Sequence, residues 1–445
     1  MIAIFRGTEA NRTFLRLAVP TILMNISVPL LGAVDTAIMG HLPDVVYLGA
    51  VSLGSVVFTT LFWAFAFFRM STVGLTAQNH GRGDTHEVAQ VLGRGLLLSA
   101  VIGIIIALLR KPIAWAAFRL LNASPEVEGL GREFFAIVGL AMPAALMMQV
   151  FQGWFYGIKN VAFPVTLTII VNAANIAFSL AFVLGLGMTS NGVALATCLA
   201  QYLGLLVTAA VFLRRYGGYW RQLTWRSLRH AASLRAILAM NSDIFLRTLC
   251  LLFANAYFMS RSAALGDAIL AANSILLQFR NLAVYALDGF ATAAEVTVGN
   301  ALGSGRRDDL LQAIALSQQW GLAIGAAISA IFLTGMPWLP ALFTSNATVL
   351  PLVLTFYIWI VLEPWISNVC FVLDGIFIGA TGTRSMRNSM VIAVVGVYVP
   401  AILLLGHWFG NHGMWAAYLL LYAARSATLF VHIRRLRRNP EYALR

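Results

Sequence analysis

The sequence predicts an all-α fold, that of a polytopic membrane protein with twelve transmembrane helices in two homologous six-helix bundles. The first observation is composition: 60% of the 445 residues are hydrophobic and 11% are charged, with a mean hydropathy of +0.82. The second is that apolar segments near the ~20 residues needed to cross a bilayer recur along the whole chain. The third is an internal repeat at a nearly constant offset. A soluble protein could not bury this much apolar surface.

Hydropathy places twelve predicted helices along the chain, each long enough to span the membrane. A basic segment separates the sixth helix from the seventh. The helices start near Phe14, Leu48, Val88, Arg132, Val161, Asn191, Leu238, Ala268, Leu310, Leu350, Arg387 and Met414.

The internal repeat divides the chain into two halves. Three pairs of strings match at an offset of 222 residues and a fourth at 221: YLGAVSL (47–53) with ILAANSI (269–275), GRGD (81–84) with GSGR (303–306), GWFYG (153–157) with GIFIG (375–379), and NGVALA (191–196) with HGMWAA (412–417). Because each half has an even number of helices, both enter the membrane in the same direction. The predicted regions are an amino-terminal lobe at 1–213, a basic cytoplasmic linker at 214–236, a carboxyl-terminal lobe at 237–435 and a basic cytoplasmic tail at 436–445.

The net charge of +13 would suggest nucleic-acid binding in a soluble protein, but the positions of the basic residues argue against this interpretation. With both termini in the cytoplasm, 21 of the 30 Lys and Arg residues lie on the cytoplasmic side, 5 lie outside and 4 lie within helices. This bias is typical of multi-pass proteins of a bacterial inner membrane, which is the predicted location. The basic linker and tail are expected to contact anionic membrane lipids.

Two halves around a cleft are the organisation that alternating access requires, so a transporter is the leading hypothesis. The sequence has no GxxxxGK[ST] loop, no HExxH and no GxSxG in a strand–turn–helix context, which argues against ATP-driven pumping by this chain alone and against an enzyme. Its three cysteines are far apart and fit no metal spacing, so no metal or cofactor is predicted. A membrane-embedded, lipid-modifying enzyme is the alternative from another functional class.

Three longer strings resemble the DinF-like (DNA-damage-inducible) branch of the multidrug and toxic compound extrusion (MATE) family. They are FRMSTVGLTAQ (Phe68–Gln78), NSDIFLRTL (Asn241–Leu249) and DGFATAAEVTVGNALG (Asp288–Gly303), and the resemblance extends from about Phe14 to Arg435. It implies V-shaped lobes and a monomeric antiporter that exchanges amphipathic, cationic organic compounds for H⁺ or Na⁺. A flippase for lipid-linked or polysaccharide precursors shares the two-lobed plan and stays as an alternative.

The resemblance also implies a cation site in the amino-terminal lobe. Asp35 matches the carboxylate of the first helix, Asn175 in NIAFS matches the asparagine of the family pattern NIxLD, and Thr197 matches a threonine on the sixth helix. Ser179 replaces the aspartate of that pattern, and Asn172 lies one helical turn before Asn175. With one carboxylate among neutral partners, the expected coupling ion is H⁺ rather than Na⁺, because a hard cation needs compensating charge. The alternative is a structural Asp35 paired with an arginine.

Pro20, Pro29 and Gly32 lie in the same predicted helix as Asp35. Proline and glycine kink helices and free backbone groups that need other partners. The first helix is therefore predicted to bend when the charge of Asp35 changes, and the alternative is a static kink that improves packing.

Several polar residues inside predicted helices are candidates for a substrate pathway. On the eighth helix, the spacing of the charged candidates places them near one face, where a buried ion-pair network that stabilises the lobe is an equally good interpretation. Methionine is flexible and polarisable, which suits a cavity, although such residues are more often core. The candidates are Met24, Gln149, Gln152, Tyr156, Arg280, Asp288, Glu295 and Asp374.

Overall fold

The structure is a computed structural model that describes residues 9–40, 45–121 and 124–438. Within these ranges, side chains are described except at 28–40, 45, 120–121 and 225–226. The described elements are all helical, as expected where backbone polar groups must be satisfied inside each segment.

Sixteen α-helices follow one another in the described chain. They are α1 (Glu9–Gly40), α2 (Val45–Ala64), α3 (Phe67–Arg82), α4 (Thr85–Leu108), α5 (Arg110–Leu121), α6 (Pro125–Val138), α7 (Met142–Gly157), α8 (Ala162–Leu180), α9 (Ser190–Trp220), α10 (Trp225–Leu228), α11 (Ala231–Ala264), α12 (Asp267–Gly303), α13 (Arg307–Gly335), α14 (Val349–Gly379), α15 (Thr383–Val391) and α16 (Val399–Arg438). Two π-helical turns, Ala181–Gly185 and Ile392–Tyr398, follow α8 and α15 directly.

Nine helical segments of the described chain are long and apolar enough to cross a membrane. One of them, Thr383–Arg438, has 56 residues, and its backbone breaks at Gly410 (φ +55°), so it supplies two spans. The long helices α1 and α12, of 32 and 37 residues, supply two more. Together they make the twelve spans that the sequence predicts, and the predicted fold class is confirmed.

The described residues form two compact units. The amino-terminal unit is Leu23–Leu238, and the carboxyl-terminal unit comprises the residues up to Ile22 together with Ala239–Arg445. The beginning of α1 therefore groups with the carboxyl-terminal unit, whereas the sequence places it in the first lobe. The aromatic side chains of Phe14 and Phe290 explain this grouping, since their ring centroids lie 6.1 Å apart.

The predicted linker at 214–236 is largely helical. Helix α9 continues through its first residues to Trp220, the four-residue α10 follows, and α11 begins at Ala231. The segment between α9 and α11 is bound to α4 of the same unit. The Gln90 side chain donates to the Gln222 carbonyl (2.9 Å), and Arg94 donates to the Ser227 carbonyl (3.3 Å).

The repeat seen in the sequence recurs in the helix packing of the two units. In the amino-terminal unit, α7 approaches α3 so closely that a Cβ on Gly153 would lie 2.5 Å from the Arg69 carbonyl oxygen. In the carboxyl-terminal unit, α14 approaches α12 in the same way, and a Cβ on Gly375 would collide with the Ala291 carbonyl oxygen. Both members of the pair are displaced by the 222 residues of the sequence repeat.

The next glycine of each helix shows the same relation. A Cβ on Gly157 would lie 3.0 Å from the Ala77 nitrogen, and one on Gly379 would lie 3.0 Å from the Gly299 nitrogen. Small residues allow membrane helices to pack backbone to backbone. The paired glycines of GWFYG and GIFIG thus have one structural role, which is the close packing of two helices in each unit.

Candidate functional site

The predicted coupling residues of α8 and α9 lie together in the amino-terminal unit. The Asn175 side chain donates a hydrogen bond to the Thr197 hydroxyl (2.9 Å), and Thr197 donates to the Val193 carbonyl (3.0 Å). Asn172, Asn175 and Ser179 share a face of α8 because they are spaced i, i+3 and i+7.

Two oxygen atoms of this polar cluster are buried without a hydrogen-bond partner in the described part of the chain. They are Oδ1 of Asn175 and Oγ of Ser179, which is fully buried. An unsatisfied buried polar atom costs about 1–3 kcal/mol, so native proteins keep few of them. Directly after α8 the backbone widens into the π-helical turn Ala181–Gly185, a feature frequent at functional sites.

Residues of α1 contact the same cluster. The Asn172 amide donates to the Ser27 hydroxyl (3.5 Å), and Ser27 donates to the Met24 carbonyl (2.7 Å). The Tyr156 hydroxyl of α7 donates to the Met24 sulfur at 3.6 Å. Thus Met24 and Tyr156, two candidates for the substrate pathway, lie beside the predicted coupling residues.

The bending and carboxylate predictions fall mainly on residues whose side chains are outside the described set. Helix α1 is helical through Pro20 and on to Gly40, but the side chains of Pro29 and Asp35 lie in the stretch 28–40, and Gly32 lies there too. Their roles stay predictions.

The two glutamines of α7 differ in their surroundings. The Gln149 amide donates to the Phe62 carbonyl of α2 (3.2 Å), and its Oε1 atom is buried without a partner among the described residues. Gln152, one turn further along, is half-buried. Gln149 thus offers a buried, unused acceptor, while Gln152 has a more accessible side chain.

A buried ion cluster lies in the carboxyl-terminal unit. Arg247 of α11 and Arg425 of α16 both donate to the Oδ2 atom of Asp374 on α14. All three side chains are buried, Arg425 with 1% and Asp374 with 4% of its surface exposed. Asp374, a predicted pathway residue, is therefore neutralised inside the unit by two arginines.

Arg280, a second candidate, is bound by residues of two other helices. Its Nε and Nη2 atoms donate to the Tyr422 hydroxyl (3.2 and 2.8 Å), and its Nη1 atom donates to Asn255 Oδ1 (3.2 Å). These hydrogen bonds lead from α12 to α16 and α11. On α12 itself, Glu295 is buried and Asp288 is half-buried.

Some of these contacts involve residues that the sequence alone does not identify as site residues. Tyr418, Tyr422 and Arg425 are spaced i, i+4 and i+7 on α16, which places them on one polar face. This periodicity is visible in the sequence and predicts a buried polar stripe, although it does not name the partners.

The MatE family model matches residues 20–179 and 244–404 of this chain. The two matched segments begin 224 residues apart, close to the offset of the internal repeat. The chain is 37% identical over 437 residues to the DNA damage-inducible protein F of Escherichia coli (strain K12), an alignment that covers 97% of this chain and 94% of that protein.

Two more distant comparisons agree with this relation. The chain is 24% identical to a probable multidrug resistance protein NorM of Rhizobium meliloti (strain 1021), over 94% of this chain and 92% of that protein. The crystal structure of a mutant of the Vibrio cholerae MATE transporter VcmN has the same fold, with a TM-score of 0.88 and 19% identity over 97% of this chain and 98% of that chain.

Proposed function

Because this chain belongs to the MATE family, whose members are transporters and not enzymes, we propose that it exports amphipathic, cationic organic compounds in exchange for protons. The chain is a multi-pass membrane protein with apolar helices. We place it in a bacterial inner membrane as a monomer, with its basic linker and tail against anionic lipids. The names of its relatives, a multidrug resistance protein among them, support this substrate class.

The observation that carries the proton assignment is the chemistry of the polar cluster. Asn172, Asn175, Ser179 and Thr197 offer amide and hydroxyl groups, all of which are neutral. Na⁺ prefers several oxygen ligands with compensating negative charge, whereas a single carboxylate is enough to carry a proton. Asp35 is the carboxylate that we assign to this role.

Export would follow from alternating access between the two homologous bundles. The paired close contacts at Gly153 and Gly375 support two similarly built bundles. A ligand shifts a conformational equilibrium only by its differential affinity for the two states. In this proposal the proton and the organic cation are the two ligands, and each favours a different state.

Transport by the purified protein in proteoliposomes is expected to follow an imposed pH gradient in sodium-free buffer. The measurement is uptake of a fluorescent lipophilic cation, with the membrane potential clamped by potassium and valinomycin so that the pH gradient alone drives exchange. Nigericin, which collapses that gradient, should abolish uptake. Transport that requires Na⁺ and ignores the pH gradient would refute the proton assignment.

A cysteine at Gly218, near the end of α9, is expected to resist membrane-impermeant thiol reagents in intact cells. Gly218 is exposed, and a Cβ there meets no atom within 4 Å, so the substitution should not disturb the fold. The physical reason is the excess of basic residues on the proposed cytoplasmic side. The control is Ala347→Cys in the exposed loop before α14, which should react, both variants being made in a background without Cys198, Cys250 and Cys370. Labelling at position 218 from outside would reverse the proposed topology.

A further inference from the structure

A cage of polar and aromatic side chains surrounds the Arg280 guanidinium inside the carboxyl-terminal unit. Arg280 is 5% exposed, and three of its nitrogen atoms donate hydrogen bonds at 2.8–3.2 Å. The acceptors are the hydroxyl of Tyr422 and the side-chain oxygen of Asn255, both neutral.

The cage also covers the flat face of the guanidinium. The Tyr418 ring lies 4.8 Å from the Arg280 Cζ atom, within the range of a cation–π contact. The Tyr418 hydroxyl donates to Asn255 Oδ1 (2.6 Å), the same atom that accepts from Arg280. This hydrogen bond fixes ring and amide relative to each other, so the cage is held together by its own walls.

Negative charge is supplied by Glu363 of α14. The side chain is 1% exposed, and neither carboxylate oxygen accepts a hydrogen bond within the described residues. The positive charge of Arg280 acts on this carboxylate through space. An isolated buried carboxylate is costly, so Glu363 needs a cation close by.

From these contacts we infer that Asn255, Tyr418, Tyr422 and Glu363 form a binding site for a planar organic cation of the guanidinium class, filled in this structure by Arg280. In-plane acceptors match the donor fork of a guanidinium, the ring matches its face, and the carboxylate matches its charge. A compact ammonium would match the charge alone. The walls come from three helices, α11, α14 and α16, while the occupant comes from α12.

Removing the occupant tests the site directly. Arg280→Ala leaves acceptors without donors and a buried carboxylate without its cation, so the cage should take up free methylguanidinium at millimolar concentration. In the purified Arg280→Ala variant, methylguanidinium is expected to raise the thermal midpoint saturably, by ~2 °C or more. The wild-type protein, whose cage is filled, should show no such rise. This experiment measures binding and not transport, so its outcome does not depend on the proposed export.

Matched controls separate the cage from general salt effects. Methylammonium at the same ionic strength should stabilise Arg280→Ala much less, and Arg306→Ala, which removes an exposed arginine, should not respond to methylguanidinium. Adding Tyr422→Phe or Glu363→Gln to Arg280→Ala should weaken the response about tenfold, since each removes one contribution to binding.

The proposal fails if folded Arg280→Ala shows no saturable stabilisation, or if methylammonium or the wild-type protein gives an equal one. If Arg280→Ala is recovered only as aggregate, membranes are solubilised with and without methylguanidinium. Monodisperse protein that depends on methylguanidinium supports the cage, and aggregation under both conditions overturns it.

Discussion

Asp374→Asn is expected to lower the thermal midpoint of the purified protein by about 10 °C, or to leave little folded protein. The carboxylate accepts hydrogen bonds from both Arg247 and Arg425, and all three side chains are buried in the carboxyl-terminal unit. The neutral amide keeps the size of the side chain but leaves two buried arginines without a counter-charge. Breaking a buried ion pair from one side typically costs about 3–5 kcal/mol. The measurement is thermal unfolding followed by fluorescence-detected size exclusion.

Two further variants test whether the missing charge is the cause. Asp309→Asn removes a carboxylate from the exposed Arg306–Asp309 pair, in which the arginine side chain is 75% exposed, and an exposed pair contributes about 1 kcal/mol or less. This control should unfold like the parent. Combining Asp374→Asn with Arg425→Met removes one of the uncompensated charges and should recover part of the loss. An Asp374→Asn protein as stable as the parent would show that the cluster contributes little to folding.

This ion cluster also shows what the sequence does not contain. Arg247 and Arg425 lie 127 and 51 residues from Asp374, and no local pattern connects the three positions. Their pairing depends on how α11, α14 and α16 pack, which is a tertiary property. Sequence reasoning therefore identified the intramembrane charges but left their partners open.

Features that depend on short-range patterns were predictable. The twelve spans follow from runs of apolar residues, because the length of a span is set by the thickness of the bilayer. The shared face of Asn172, Asn175 and Ser179 follows from helical periodicity. The repeat offset predicted the paired packing at Gly153 and Gly375, since homologous glycines serve the same close approach.

The grouping of the first part of α1 was not predictable in the same way. Asn11 accepts a hydrogen bond from the Trp320 indole (3.0 Å), and a Cβ on Gly289 would lie 3.2 Å from the Ala18 carbonyl oxygen. These contacts bring residues about 300 positions apart in the chain together in the carboxyl-terminal unit. Hydropathy places α1 as a span but does not assign it to a unit.

The neutral cluster on α8 and α9 motivates the largest functional effect. Asn175 Oδ1 and Ser179 Oγ are buried acceptor atoms without partners in the described part of the chain. A protonated carboxyl group is a donor that such atoms could bind, whereas an ionised one is an acceptor only. Neutral surroundings of this kind let a buried carboxyl group take up and release a proton, because burial disfavours the charged form. Asp35 is the residue to which we assign this exchange.

Asp35→Asn is expected to give a folded protein that no longer exports drug against a gradient. The amide nearly keeps the shape of the side chain but cannot be charged and discharged, so the proton loses its differential affinity for the two states. The measurement is drug resistance and proton-driven uptake at matched expression. Asp35→Glu, which still titrates, should retain part of the activity, and Asp267→Asn at the exposed start of α12 should behave like the parent. Full resistance in the Asp35→Asn strain would show that the carboxylate is structural, and proton coupling would then have to be assigned to another group.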